Sequence, residues 1–124
     1  MDRETLLSYG IDGDRGQKNC MGNLAFYKKI LAMFLEDVCF SRAKAAYEAG
    51  NGKELFSRMH ELKGISGNAA LTTLYEETSP LVELLRHGEG LDGDRKAEID
   101  RRFAAVEAAY VRACEGAALY IAEG

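Results

Sequence analysis

His60-Glu61-Leu62-Lys63-Gly64-Ile65-Ser66-Gly67-Asn68-Ala69-Ala70-Leu71-Thr72-Thr73-Leu74 is the stretch of this 124-residue chain that decides its fold. At roughly 100° per residue on a helix, His60, Lys63, Gly64 and Gly67 fall within roughly 100° of one another. Leu55, Met59, Leu62, Ser66 and Ala69 recur at helical spacing and occupy the opposite side. The spacing predicts a helix that buries its leucine stripe and turns His60 outward. A glycine in a helix interior costs about 1 kcal/mol relative to alanine. Packing against a partner helix gives no reason for two of them on the solvent-facing stripe, so Gly64 and Gly67 imply that something approaches the backbone closely there.

The same helical spacing extends in both directions. Upstream, from Asn23 to Ala49, Tyr27, Leu31, Phe34, Val38 and Ala45 share one face, with Asn23 as a natural N-cap and Gly50 as a natural terminator. Asn51 caps the segment that carries His60. Downstream, Leu71, Leu74, Thr78, Leu81 and Leu85 form a third stripe, which stops at His87-Gly88; His87 reads as a C-terminal residue interacting with helix carbonyls. A fourth segment begins near Asp94, with Ile99, Phe103, Val106, Tyr110, Ala113, Ala117 and Ile121 as its buried face. Residues 2 to 9 add a short helix, because Leu6 and Leu7 need cover and the stretch is too short to stand alone. Glycine clusters at 10–22, 50–52 and 88–93 punctuate these segments. Pro80, the only proline, should kink the third stripe or restart it with Ser79 as a cap; the unbroken phase of the stripe favours a kink.

Four amphipathic helices joined by short loops need one shared core. The predicted fold is all-α: an antiparallel up-down four-helix bundle with a short additional N-terminal helix, a single domain over residues 1–124. Hydrophobic residues at 47% and charged residues at 29% suit a soluble globular chain. A net charge of −4 and the lack of any long basic run argue against nucleic acid or an anionic membrane as partner. No apolar stretch reaches about 18 residues and the N-terminus lacks a signal-peptide layout, so a cytoplasmic location is expected. Cys20, Cys39 and Cys114 form no Cys-x-x-Cys pair and read as reduced, buried small residues. A di-iron bundle would need Glu-x-x-His pairs; position 57 is serine and the two histidines lie far apart, so no metal site is expected. A kinase would need a glycine-rich nucleotide loop, which is missing.

With the surrounding elements in order, the chain resembles the histidine phosphotransfer family, whose signature is a helix carrying His-x-x-Lys-Gly followed by small residues and spaced leucines. His60, Leu62, Lys63, Gly64, Ser66, Gly67, Asn68, Leu71, Leu74 and Leu81 match in register. Gly10-Ile11-Asp12, Gly22-Asn23, the run Tyr27, Leu31, Phe34 and Asp37, and Ala49-Gly50-Asn51 resemble the family's approach to that helix, so the likeness covers roughly residues 4 to 87. The family commonly has glycine at the position of Ala70 and glutamate directly after the leucine equivalent to Leu81, where this chain has Val82 and then Glu83.

The resemblance implies a phosphorelay intermediate that accepts a phosphoryl group on His60 from a receiver-domain aspartyl phosphate and passes it to another receiver aspartate. Its implied partners are response-regulator receiver domains and a hybrid sensor histidine kinase. It implies no cofactor of the chain's own, since Mg²⁺ comes with the receiver, and no autonomous catalysis. Lys63 would place a charge beside the phosphoryl oxygens, and Phe56, Gly64 and Gly67 would form docking surface. A monomer is expected, and the start at Met1 with a full final segment points to a free-standing protein. The alternative is a helical module that docks receivers or another protein without transferring phosphate.

Overall fold

In the computed structural model, which describes residues 1–86 and 91–123, four of the α-helices begin at short polar side chains that cap them. The helices are α1 (Arg3–Ser8), α2 (Gly13–Asn19), α3 (Leu24–Glu36), α4 (Cys39–Glu48), α5 (Gly52–Asn68), α6 (Thr72–Leu85) and α7 (Lys96–Ala122), the last preceded by a 3-10 turn, Gly93–Arg95. Asp2, Asp12, Asn23 and Asn51 each accept a hydrogen bond from the backbone N–H three residues on, at 2.8 to 3.1 Å, and so start α1, α2, α3 and α5. Among the described residues there is no strand, and the fold is all-helical. His87 and residues 88–90 of the third glycine cluster lie outside the described residues.

The stripes of the central helices are where the spacing predicts. Leu55, Met59, Leu62, Ser66 and Ala69 of the α5 segment are buried, as are Leu71, Leu74, Thr78, Leu81 and Leu85 along α6. The two hydroxyls in these stripes bond locally, Ser66 to the Lys63 carbonyl at 3.0 Å and Thr78 to the Leu74 carbonyl at 2.6 Å, so they sit in the core at little cost. Helix α6 runs unbroken through Pro80 and does not restart there; Ser79 caps nothing and donates to the Tyr75 carbonyl at 2.8 Å.

The first long segment differs from the expectation. Residues 23–49 form two helices, because Asp37 turns extended and its carboxylate accepts the Cys39 N–H at 2.7 Å, starting α4. The break changes the buried phase: Val38 and Ala45 are exposed, and Cys39, Phe40, Ala43 and Ala46 are buried instead. On an unbroken helix Phe40 would lie roughly 240° around from Phe34. After the break its ring stacks at 4.2 Å from Tyr110 and 5.8 Å from Phe103, and burial of that aromatic surface favours the broken path.

The glycine-rich segment 10–22 also differs from expectation, since α2 lies within it. Gly16 is buried beneath the Tyr27 ring, which a Cβ would overlap, so this glycine serves close packing and not a loop. Tyr27 is itself fully buried, and its hydroxyl donates to the Ala69 carbonyl at 2.7 Å, tying α3 to the end of α5. Along α7, Ala109 and Tyr120 are buried where Tyr110 and Ile121 were expected, and those two are half-buried. Leu6 is buried and Leu7 exposed.

The buried residues form one cluster contributed by every helix except α2, and α5 packs between α4 and α6 while α7 packs on α6 and α3. All three cysteines are free; Cys39 is buried, but Cys20 and Cys114 are only half-buried, nearer the surface than expected. Among the described residues no helix is long and apolar enough to cross a membrane.

Candidate functional site

Burying its leucine stripe fixes the rotation of α5 and leaves His60 and Gly64 exposed, with Phe56, Lys63 and Gly67 half-buried beside them. All five predicted site residues therefore lie along one helix. His60, Lys63, Gly64 and Gly67 line a single shallow hollow, together with Asn68 and Tyr75. Phe56 lies just outside it, its ring centroid 6.1 Å from that of His60, and it also packs against the core, so it is only partly available for docking. The Arg86 guanidinium lies 5.9 Å from the Phe56 ring.

The two glycines separate on contact. A Cβ built on Gly64 meets nothing within 4 Å, so no packing inside the chain demands glycine there. A Cβ on Gly67 would touch the Tyr75 ring at 3.4 Å, which gives this glycine an internal role as the seat of an aromatic side chain. Tyr75 is the site residue that sequence reading misses. It follows Leu74 of the α6 stripe and points outward, 41% exposed, with the Lys63 ammonium 5.7 Å from its ring centre. Its only signal is an outward aromatic placed just after the turn that folds α6 back along Gly67.

That turn depends on a backbone conformation that favours glycine. Ala70 has φ +57°, Leu71 N–H donates to the Ser66 carbonyl at 2.9 Å, and Ala70 N–H donates to the Gly67 carbonyl at 3.3 Å. This is a Schellman closure of α5 with alanine where glycine is usual. The Ala70 carbonyl in turn accepts the Asp12 N–H at 2.9 Å, which docks the start of α2 on the end of α5.

The arrangement offers an accessible imidazole with a cation one turn on and space above the backbone between them. Such a group can act as a nucleophile or accept a proton from a partner that reaches it. Among the described residues no carboxylate lines the hollow, so they offer no seat there for a hard divalent cation, which prefers oxygen ligands. One mixed cluster does lie nearby: the break between α3 and α4 brings Asp37 and Cys39 to Glu61, with their ligand atoms within 4.8 Å of one another. Glu-x-x-His spacing does not describe this cluster, because its members come from separate elements. Burial, then the Glu61 carboxylate, push the Cys39 thiol up to about 12, and it donates to the Arg58 carbonyl at 3.2 Å.

No protein-family model, no curated protein and no solved structure matches this chain.

Proposed function

We propose that this chain is a phosphohistidine carrier in a two-component phosphorelay, with His60 as the acceptor. The observation that carries the reading is Gly64: an exposed helical glycine one turn after an exposed histidine, with open space where its side chain would be. A helix tolerates that cost of about 1 kcal/mol where the missing side chain serves something outside the chain. In the reaction, a ring nitrogen of neutral His60 attacks phosphorus of a receiver's aspartyl phosphate. The acyl P–O bond breaks, the aspartate leaves as carboxylate, and phosphohistidine remains until a second receiver aspartate reverses the step. Positioning and charge supply most of the catalysis in such transfers. This chain would contribute the nucleophile and the Lys63 ammonium, and the receiver would bring Mg²⁺ with its own acidic site.

The wider reading is of a monomeric cytoplasmic domain over residues 1–124, served by response-regulator receivers and a hybrid sensor kinase. In it, the α3–α4 pair, α5, α6 and α7 act as the four members of an antiparallel up-down bundle, and α1 is the short additional helix. Incubation with a phosphorylated receiver domain tests the central claim. Acid-labile, base-stable label is expected on the wild type and none on His60→Gln. Label that persists in His60→Gln would overturn the assignment, and tight receiver binding without label under any donor would point to a docking module instead.

A further inference from the structure

The hollow around His60 does not end at Tyr75. A second, more enclosed hollow adjoins it, lined by Arg15, Ala70, Thr72 and Glu76 together with Gly67 and Tyr75, which belong to both. Gly67 and Tyr75 are thus the wall shared by two adjoining hollows, one reaching His60 on α5 and the other Arg15 on α2. Arg15 is exposed, and among the described residues its guanidinium makes no ion pair; the adjacent Asp14 is taken by Arg3 at 3.5 Å. Asp12 accepts the Arg15 backbone N–H at 3.1 Å.

Size decides that a partner docked on His60 must reach beyond the histidine stripe. A specific interface covers about 800 Å² and roughly 20–30 residues on each side, many more than Phe56, His60, Lys63, Gly64 and Gly67 supply. Two flanks are available. The Phe56 flank ends on Arg86, whose charge is already paired with Glu83 at 2.7 Å. The Tyr75 flank holds the second hollow and ends on Arg15, which among the described residues makes no ion pair. Tyrosine and arginine are also the side chains that most often dominate binding energy when a partner covers them. A receiver must hold its Mg²⁺ with carboxylates and so presents an acidic surface. Lys63 in the His60 hollow and Arg15 in the second would attract it, and Glu76, which lines the second hollow with Arg15, would oppose it.

We propose that this second hollow is the partner-selecting half of the docking surface, where Tyr75 packs against and Arg15 pairs with a carboxylate-bearing loop of the receiver docked on His60. Glu76 supplies the repulsion that discriminates between receivers. The inference rests on the phosphotransfer reading above.

The test measures transfer rate against receiver concentration for the wild type, Arg15→Glu and Glu76→Gln, with receiver domains phosphorylated by acetyl phosphate as donors. Arg15→Glu should raise the half-saturating receiver concentration about tenfold and leave the maximal rate within about twofold. Glu76→Gln should lower that concentration about twofold, and both differences should shrink between about 0.05 and 0.5 M salt. If Arg15→Glu loses helicity, Glu76→Gln decides alone. Unchanged half-saturation in the variants would overturn the proposal, as would a fall in maximal rate only, which places the effect at the chemistry. A dimer of this chain that Arg15→Glu dissolves would overturn it too, by giving the hollow to a second copy. If no receiver labels the wild type, the phosphotransfer reading falls and this inference with it, whereas labelled wild type with indifferent variants overturns this inference alone.

Discussion

Gly64 and Gly67 lie about one turn apart on one face of α5, yet they are glycine for different reasons. Nothing meets a Cβ at Gly64, so Gly64→Ala should raise stability by up to about 1 kcal/mol, read as a higher melting temperature. Gly64→Leu should keep helicity and melt no lower than the wild type while abolishing transfer to His60; lost helicity would instead mean that the glycine serves packing. At Gly67 a Cβ meets Tyr75 at 3.4 Å, so Gly67→Ala gains the same propensity but presses the ring outward, and its net effect on melting should be smaller. The outward turn of His60 is legible in sequence because one buried stripe fixes the rotation of the whole helix. The neighbourhood of Gly67 is not, since Tyr75 reaches it only through the reversal at Ala70, and helical periodicity carries no information across a turn.

Among the described residues, two helices end on residues in the left-handed region that are not glycine, and the local balance differs between them. Met21 has φ +57° and follows α2, where Gly22 N–H donates to the Gln17 carbonyl at 2.7 Å; its side chain is 96% exposed. Left-handed backbone costs an L-residue about 1–2 kcal/mol, so Met21→Gly relieves that strain and gives up no burial. It should stabilise the protein by about 1 kcal/mol in denaturant titration. Ala70 has the same φ but is 2% exposed, and removing its methyl forfeits about 0.8 kcal/mol of burial. Ala70→Gly should therefore come out near neutral, although it restores the residue that the turn prefers. Such terminators mark helix ends in sequence only when they are glycine, which is why α2 disappears into a segment that reads as a loop. The break before α4 is hidden for another reason. Tyr27, Leu31 and Phe34 continue smoothly to Val38 in a one-dimensional pattern, and only the aromatic stack of Phe40 against α7 shows why the chain gives up that register.

Across the whole molecule, burial and local bonds hold several weakly acidic groups in their neutral forms. Burial first, then Glu61, moves Cys39 from an ordinary 9.0 to about 12. The hydrogen bond to Asp100 moves Tyr47 from 10.0 to about 12, and burial moves Tyr110 equally far. Burial raises Cys114 as well. In each case the folded chain keeps a proton that the unfolded chain releases at lower pH. The unfolded state therefore binds fewer protons in this range, and stability falls as pH rises. The stabilisation from Cys39 is fully present below about pH 9 and is lost progressively toward about pH 12. The raised tyrosines, with an ordinary value of 10.0, begin to contribute over the same range, so the decline between about pH 9 and 10 is shared between thiols and tyrosines. Cys39→Ala should lower the melting temperature at neutral pH, because it leaves a small void between α4 and α5. It should also make the decline in that interval shallower, with the residual slope carried by Cys114 and the tyrosines. Melting followed by circular dichroism at half-unit pH steps would show both effects, and an unchanged slope in Cys39→Ala would mean that the thiol titrates alike in the folded and unfolded chains.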